Sequence, residues 1–214
     1  MTADMIQGVA SGIPWTLAVT AAALVMGAAL GLPLCAMRQS KLAALRIIAL
    51  LYIIVFRSVP PLLWVFVFFF GLGSGYLPIS AFQGAVLGLG LITAANMAEI
   101  YRGALSAIHT GQWEASEALG LPSYSMYMDI IAPQLLRVSL PSSASYAVGL
   151  LKDSAIASTV GVNDISFSAN YIAKTTYQGL TVFALAGLFY IMISLPIAAL
   201  ARATDQRLRA RVAL

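Results

Sequence analysis

The chain has 214 residues, 60% of them hydrophobic and only 9% charged, with a formal net charge of +4. A soluble domain carries about a quarter charged residues, so this chain lacks the polar surface that water demands and lipid must be its main solvent. That excludes an ordinary soluble enzyme or binding domain, and it makes the placement of the basic residues more informative than their sum.

Residues 1–12 contain Asp4 and neither Lys nor Arg, so no cleaved leader is expected there. A helix that crosses the hydrocarbon core needs about 20 apolar residues. Residues 13–36 supply the first such run without a charge, and Cys35, the single cysteine, falls inside it. It has no partner within the chain for a disulfide, and its role is to fill packing space. Residues 47–72 form a second run, interrupted by Arg57 and the Pro60-Pro61 pair. Residues 79–101 form a third, which contains Glu99.

Residues 103–137 then make the one long polar connection. Residues 112–119 are good helix formers, Gly120 suits a left-handed C-cap, and Pro122-Ser123 suits the start of a second short helix. The pattern predicts a bent helical pair with Trp113, Leu119, Tyr124 and Tyr127 as apolar knobs. Two readings of it stand: a docking element for a soluble partner, or a connector packed on its own bundle. Residues 139–162 form a fourth run, rich in Ser, Ala and Gly, with Lys152 and Asp153 inside it, and residues 178–201 form a fifth with no charge.

The expected fold is therefore an all-α integral membrane protein, one domain over residues 1–214 with five transmembrane helices. An odd number puts the termini on opposite sides. With the N-terminus outside, Arg38, Lys41, Arg46, Arg102, Arg137, Arg202, Arg207, Arg209 and Arg211 are cytoplasmic and Lys174 alone lies outside. Basic residues favour the cytoplasm, so Met1 is expected outside and Leu214 inside. No P-loop, dinucleotide fingerprint, metal-ligand cluster or nucleophile–base pair is present, and His109 is the only histidine. Catalytic residues, metal ligands and nucleic-acid contacts are not expected. If the chain moves a solute against a gradient, ATP must be hydrolysed elsewhere.

Four charges fall in or at the edge of the apolar runs: Arg57, Glu99, Lys152 and Asp153. A charge at mid-span costs roughly 2.5–3.5 kcal/mol on insertion scales, so these side chains should face the bundle interior, a watery path or one another, or snorkel to the membrane faces. The readings of a static clamp and of a solute path or gate both stand. Lys152 and Asp153 leave a helix about 100° apart, so each should find its own partner. The available pairings are Lys152 with Glu99, and Asp153 with Arg57 or a donor of a second subunit. Ser145, Gly149 and Lys152 share one face of the fourth span, and Ser142, Tyr146, Gly149 and Asp153 the adjacent one. Arg57 or Lys152 offers a cation, and Glu99 or Asp153 an acceptor, to a small polar solute.

The polar connection resembles the coupling loop of binding-protein-dependent ABC permeases. Glu114-Ala115, Gly120, Ile130 and Pro133 stand at the family's spacing, with Leu121 following the glycine, Ser116 in place of an Ala and Ala132 in place of a Leu. Elsewhere, over about residues 8–205, the chain resembles the polar amino acid permeases of the histidine and glutamine type. Gly12, Thr16 and Leu17 fit the start of its first span. Arg57-Ser-Val-Pro60 resembles Arg-Gly-Thr-Pro, and Ala98-Glu-Ile-Tyr-Arg-Gly103 resembles Ala-Glu-Ile-x-Arg-Gly. Leu150-Leu-Lys-Asp-Ser154, with Gly161-Val162, resembles Leu-Leu-Lys-Asp-Thr and its close. Asn96 stands where a Tyr is common, and Ser145 where an Asn is.

The resemblance implies a multi-pass permease subunit of the bacterial inner membrane that imports amino acids or related small polar solutes. It implies a second permease, the same or paralogous, a pair of ABC ATPases that bind ATP and Mg, and an extracytoplasmic solute-binding protein. It implies no cofactor on this chain. A stand-alone secondary transporter and a non-transporting scaffold are the competing readings. The lack of an internal repeat argues against the first, and the polar fourth span against the second.

Overall fold

The computed structural model describes residues 3–73 and 78–212, the side chains of residue 200 and residues 204–212 excepted. Met1, Leu214 and the side chains of Arg207, Arg209 and Arg211 thus lie outside the described residues. Every described element is helical. A short helix α1 (Ala3–Ala10) runs through a turn into α2 (Ile13–Arg38). The second apolar run begins earlier than the sequence suggests, as α3 (Ala43–Ser58), and then breaks. The residue before a proline is pushed out of the helical region. Val59, before Pro60, accordingly adopts φ −98°, ψ 133°, and α4 (Pro61–Phe66) restarts with a proline in its first turn. Together with the π-helical turn Val67–Leu72, α4 leaves α3 at 104°. An aromatic ladder holds the corner: Tyr52 and Phe56 lie 4.5 Å apart, and Phe56 stacks on Trp64 at 4.3 Å.

Helix α5 (Ala81–Ser106) is the centre of the fold and starts with a reciprocal Ser80–Gln83 capping box. Gly84, Gly88, Gly90, Ala94, Ala95 and Ala98 are among its buried residues, so neighbours approach its backbone closely. Its widest contact is with α2, where Gly27 sits so near Thr93 that a β-carbon would overlap it. The polar connection folds as α6 (Thr110–Ala118), the single turn α7 (Ser123–Ser125) and a π-helical stretch Met126–Ile131 that leads directly into α8 (Ala132–Asp153). A 3₁₀ segment, Ser154–Val160, continues α8 to a left-handed Gly161. Helix α9 (Ile165–Thr176) precedes the long α10 (Gly179–Val212), which packs on α8, α9 and α1.

Among the described residues three helices are long and apolar enough to cross a membrane: Ala3–Arg38, Ala81–Ser106 and Gly179–Ala203. The bent pair Ala43–Ser58 with Pro61–Leu72 makes a fourth if it counts as one span. Helix α8, with Arg137, Lys152, Asp153 and four serines, is not among them. Val25, Ile47, Leu51, Leu188 and Met192 are exposed on the outside of the bundle, which is where lipid would replace water as solvent. Two helices were not anticipated, α1 and α9. The second had a legible signal, since Asp164 is an N-cap and Ile165, Ala169, Ile172 and Ala173 follow at helical spacing.

Candidate translocation and coupling site

The four charges do not form the network that their balance suggested. Glu99 is already satisfied on its own face. Its Oε2 accepts from Arg102 Nε at 3.0 Å and Nη2 at 2.8 Å, and Arg38 Nε stands 3.6 Å from Oε1. Arg38 ends α2 on the same side as the last turns of α5, so a residue counted only as loop charge ties two spans together. The expected Lys152–Glu99 pair is therefore corrected: Glu99 is held by Arg102 and Arg38, and neither Lys152 nor Asp153 joins an ion pair among the described residues. Arg57, Lys152 and Asp153 are all exposed on the single chain. Arg57 sits in the last turn of α3 at the proline corner, and Lys152 and Asp153 sit where α8 tightens into its 3₁₀ segment.

Tyr146 lies one side of α8 toward α5, and its hydroxyl meets Thr93 Oγ1 at 3.2 Å and Asn96 Nδ2 at 3.5 Å. Thr93 and Asn96 were missed as site residues. Their signal was available: two polar side chains three apart inside an apolar span. Asp153 lies two turns beyond Tyr146 on nearly the same face of α8 and joins no ion pair among the described residues. Ser145 faces elsewhere. With Pro141, Ser142, Val148, Ala198, Ala201 and Arg202 it lines a 590 Å³ cleft between α8 and α10.

The connection between α5 and α8 is bent as its sequence implies. Gly120 has φ +64°, in the left-handed region where a β-carbon is disfavoured. Gly120 N–H donates to the Glu117 carbonyl at 2.9 Å and Leu121 N–H to that of Ser116 at 3.1 Å, the paired bonds of a Schellman ending. Ser116, in the position of an expected alanine, is buried and turns its hydroxyl onto the Gln112 carbonyl at 2.6 Å. Leu119 is 75% exposed and Tyr124 74%, with Tyr127 and Met128 half exposed, while Glu114, Ala115 and Pro133 are exposed too. Trp113 is not a knob. It packs edge-on against Tyr127 and on the inner cluster of Cys35, Tyr101, Ile108 and Ile131, because its side of α6 faces the bundle. Ile130 and Leu121 are partly buried. The base of the loop thus packs on its own bundle, and its tip leaves apolar side chains exposed.

Comparison with known proteins agrees with this architecture. Residues 23–210 match the family described as binding-protein-dependent transport system inner membrane component. The chain is 36% identical over 182 residues to the probable amino-acid ABC transporter permease protein YckA of Bacillus subtilis (strain 168), covering 85% of this chain and 80% of that protein. It is 35% identical over 151 residues to the arginine ABC transporter permease protein ArtQ of Haemophilus influenzae, covering 67% of this chain and 68% of the relative. The crystal structure of an amino acid ABC transporter with histidines superposes with a TM-score of 0.85 at 29% identity, covering 97% of this chain and 100% of that one. The chain belongs to the family of binding-protein-dependent transport system inner membrane components, and is a permease rather than an enzyme.

Proposed function

We propose that this chain is the permease subunit of an ABC importer that carries amino acids or related small polar solutes into the cytoplasm. The match of residues 23–210 to the inner membrane components, with amino-acid permeases as relatives, carries that reading. ATP and Mg belong to a separate pair of ATPase subunits. A second permease completes the pathway, and an extracytoplasmic binding protein delivers the solute. The whole chain acts as one membrane domain in a bacterial inner membrane. It has five spans, counting the bent pair α3–α4 as one and α8 with its 3₁₀ segment as another. The N-terminus is outside and the C-terminus inside, as the basic loops favour.

Residues 103–137 couple the permease to the ATPase. Glu114, Ala115, Gly120, Leu121, Ile130 and Pro133 set the shape of that element, and the exposed Leu119 and Tyr124 at its tip suit insertion into a groove. Arg57, Lys152 and Asp153, exposed on the single chain, face the pathway and the second permease. Tyr146 belongs to its polar wall, Ser145 lines the neighbouring cleft between α8 and α10, and Glu99 braces the wall through Arg102 and Arg38. A solute carboxylate would meet Arg57 or Lys152, and its ammonium Asp153.

Reconstitution tests the reading. Proteoliposomes that hold this chain, its ATPase and its binding protein should accumulate labelled amino acids only with ATP. Uptake by this chain alone, without ATP, would instead favour a secondary transporter. Reporter fusions test the topology, and a periplasm-active reporter that works at the C-terminus would overturn it.

A further inference from the structure

Asp164 is the only acidic residue that is fully buried among the described residues. It caps α9, with Oδ1 accepting from Phe167 N–H at 2.7 Å. Its Oδ2 is closed off from solvent and has no hydrogen-bond partner. Among the described residues, the elements around it bring no cation to it. Helix α2 presents Thr16, α9 presents Ser166, and α10 presents Tyr190, whose hydroxyl lies 3.1 Å from Ser166 Oγ. Of the charged groups on this side, Asp4 of α1 lines a 510 Å³ surface cleft whose wall includes Asn163 and Phe167, and Lys174 is exposed near the far end of α9.

The junction that holds Asp164 is clamped. Gly12, at the start of α2, lies against the backbone of Asp164 and Ile165 so closely that a β-carbon would overlap both. Thr16 Oγ1 faces the Gly12 carbonyl and accepts from Ile165 N–H, both at 3.2 Å. Three helices thus converge on one enclosed carboxyl. An ionised carboxylate in such an enclosure, with one oxygen lacking a donor, is strongly disfavoured, and a neutral acid is not. Burial pushes the Asp164 carboxyl up to about 6, against the opposing pull of the Phe167 and Ser166 amides. The junction follows Asp153 through the 3₁₀ segment Ser154–Val160, which joins it in sequence to the end of α8.

We propose that Asp164 is a proton-binding site: it holds a proton while α2, α9 and α10 are packed as here and releases it when the junction loosens, so that protons on the outer face bias the transport cycle. The site itself follows from the packing, while its outer location rests on the topology proposed above.

Infrared difference spectra of the purified importer complex, with [13C]aspartate labelling, test the site. The wild type should show a protonated aspartic acid carbonyl band at pH 5 that falls by more than about tenfold by pH 8. The D164N complex should lack it. No such band in the wild type, or the same band in D164N, overturns the proposal. In proteoliposomes with binding protein outside, uptake per ATP should change several-fold with outer pH for the wild type and stay flat for D164N. A flat wild-type profile on both sides overturns the role in transport. A response to the lumenal pH alone would overturn the topology and leave the proton site standing.

Discussion

Gly120 offers the sharpest test of the proposed coupling loop, because its surroundings separate backbone strain from steric clash. A β-carbon at this position would meet nothing within 4 Å, so a larger side chain has room. What resists substitution is the φ of +64°. A β-branched residue in the left-handed region costs roughly 1–2 kcal/mol. A turn that escaped the strain would give up two hydrogen bonds, from Gly120 to Glu117 and from Leu121 to Ser116, each contributing about 0.5–1.5 kcal/mol. That is small beside the roughly 5–15 kcal/mol stability of a folded protein, so Gly120→Val should still insert and assemble. It is large for a local equilibrium, since about 1.4 kcal/mol shifts a population tenfold. Gly120→Val should therefore lower uptake per ATP hydrolysed by about an order of magnitude in reconstituted complexes. Gly120→Asn, which tolerates the left-handed region, should stay within a few-fold of wild type. Normal coupling in the Val variant, or equal damage from Asn and Val, would refute the argument that the bend acts through its backbone.

Other substitutions address the remaining contacts. Gly27→Ala should force α2 away from Thr93 and cost about 1–3 kcal/mol, read as a fall in the thermal unfolding midpoint in detergent, whereas Gly71→Ala, with open space around it, should leave the midpoint unchanged. A double-mutant cycle should find coupling between Glu99→Gln and Arg102→Met, which share a 2.8 Å contact, and strictly additive effects between Glu99→Gln and Lys152→Met. Coupling in the second cycle would show that Lys152 reaches Glu99 after all. For Asp164, burial raises the folded-state value from 3.8 to about 6, so its contribution to stability is fully present below about pH 4 and is lost as pH rises through 6. Asp164→Asn keeps the N-cap and should abolish that decline, which thermal melts between pH 4 and pH 8 will measure.

The sequence by itself determined the solvent of this protein, the position of most of its long helices and the bend of the loop over residues 103–137. Each depends on local properties: runs of apolar residues, the Pro60-Pro61 pair that forbids a continuous second helix, and Gly120 before Leu121 and Pro122. Composition and spacing record such features without help from distant residues. The tertiary structure decided which charges meet. Four charges that balance on paper separate once α2 brings Arg38 beside Glu99, because a carboxylate is claimed by whichever cations the helix packing delivers first. It also decided that Trp113 faces inward, that Thr93 and Asn96 join Tyr146, and that Gly12 and Thr16 close on the backbone of Asp164 and Ile165, more than a hundred residues away. A polar side chain reads the same in sequence whether water, lipid or another helix surrounds it. Only the packing of α2, α5, α8, α9 and α10 fixes its dielectric surroundings and its partners, and with them its chemistry.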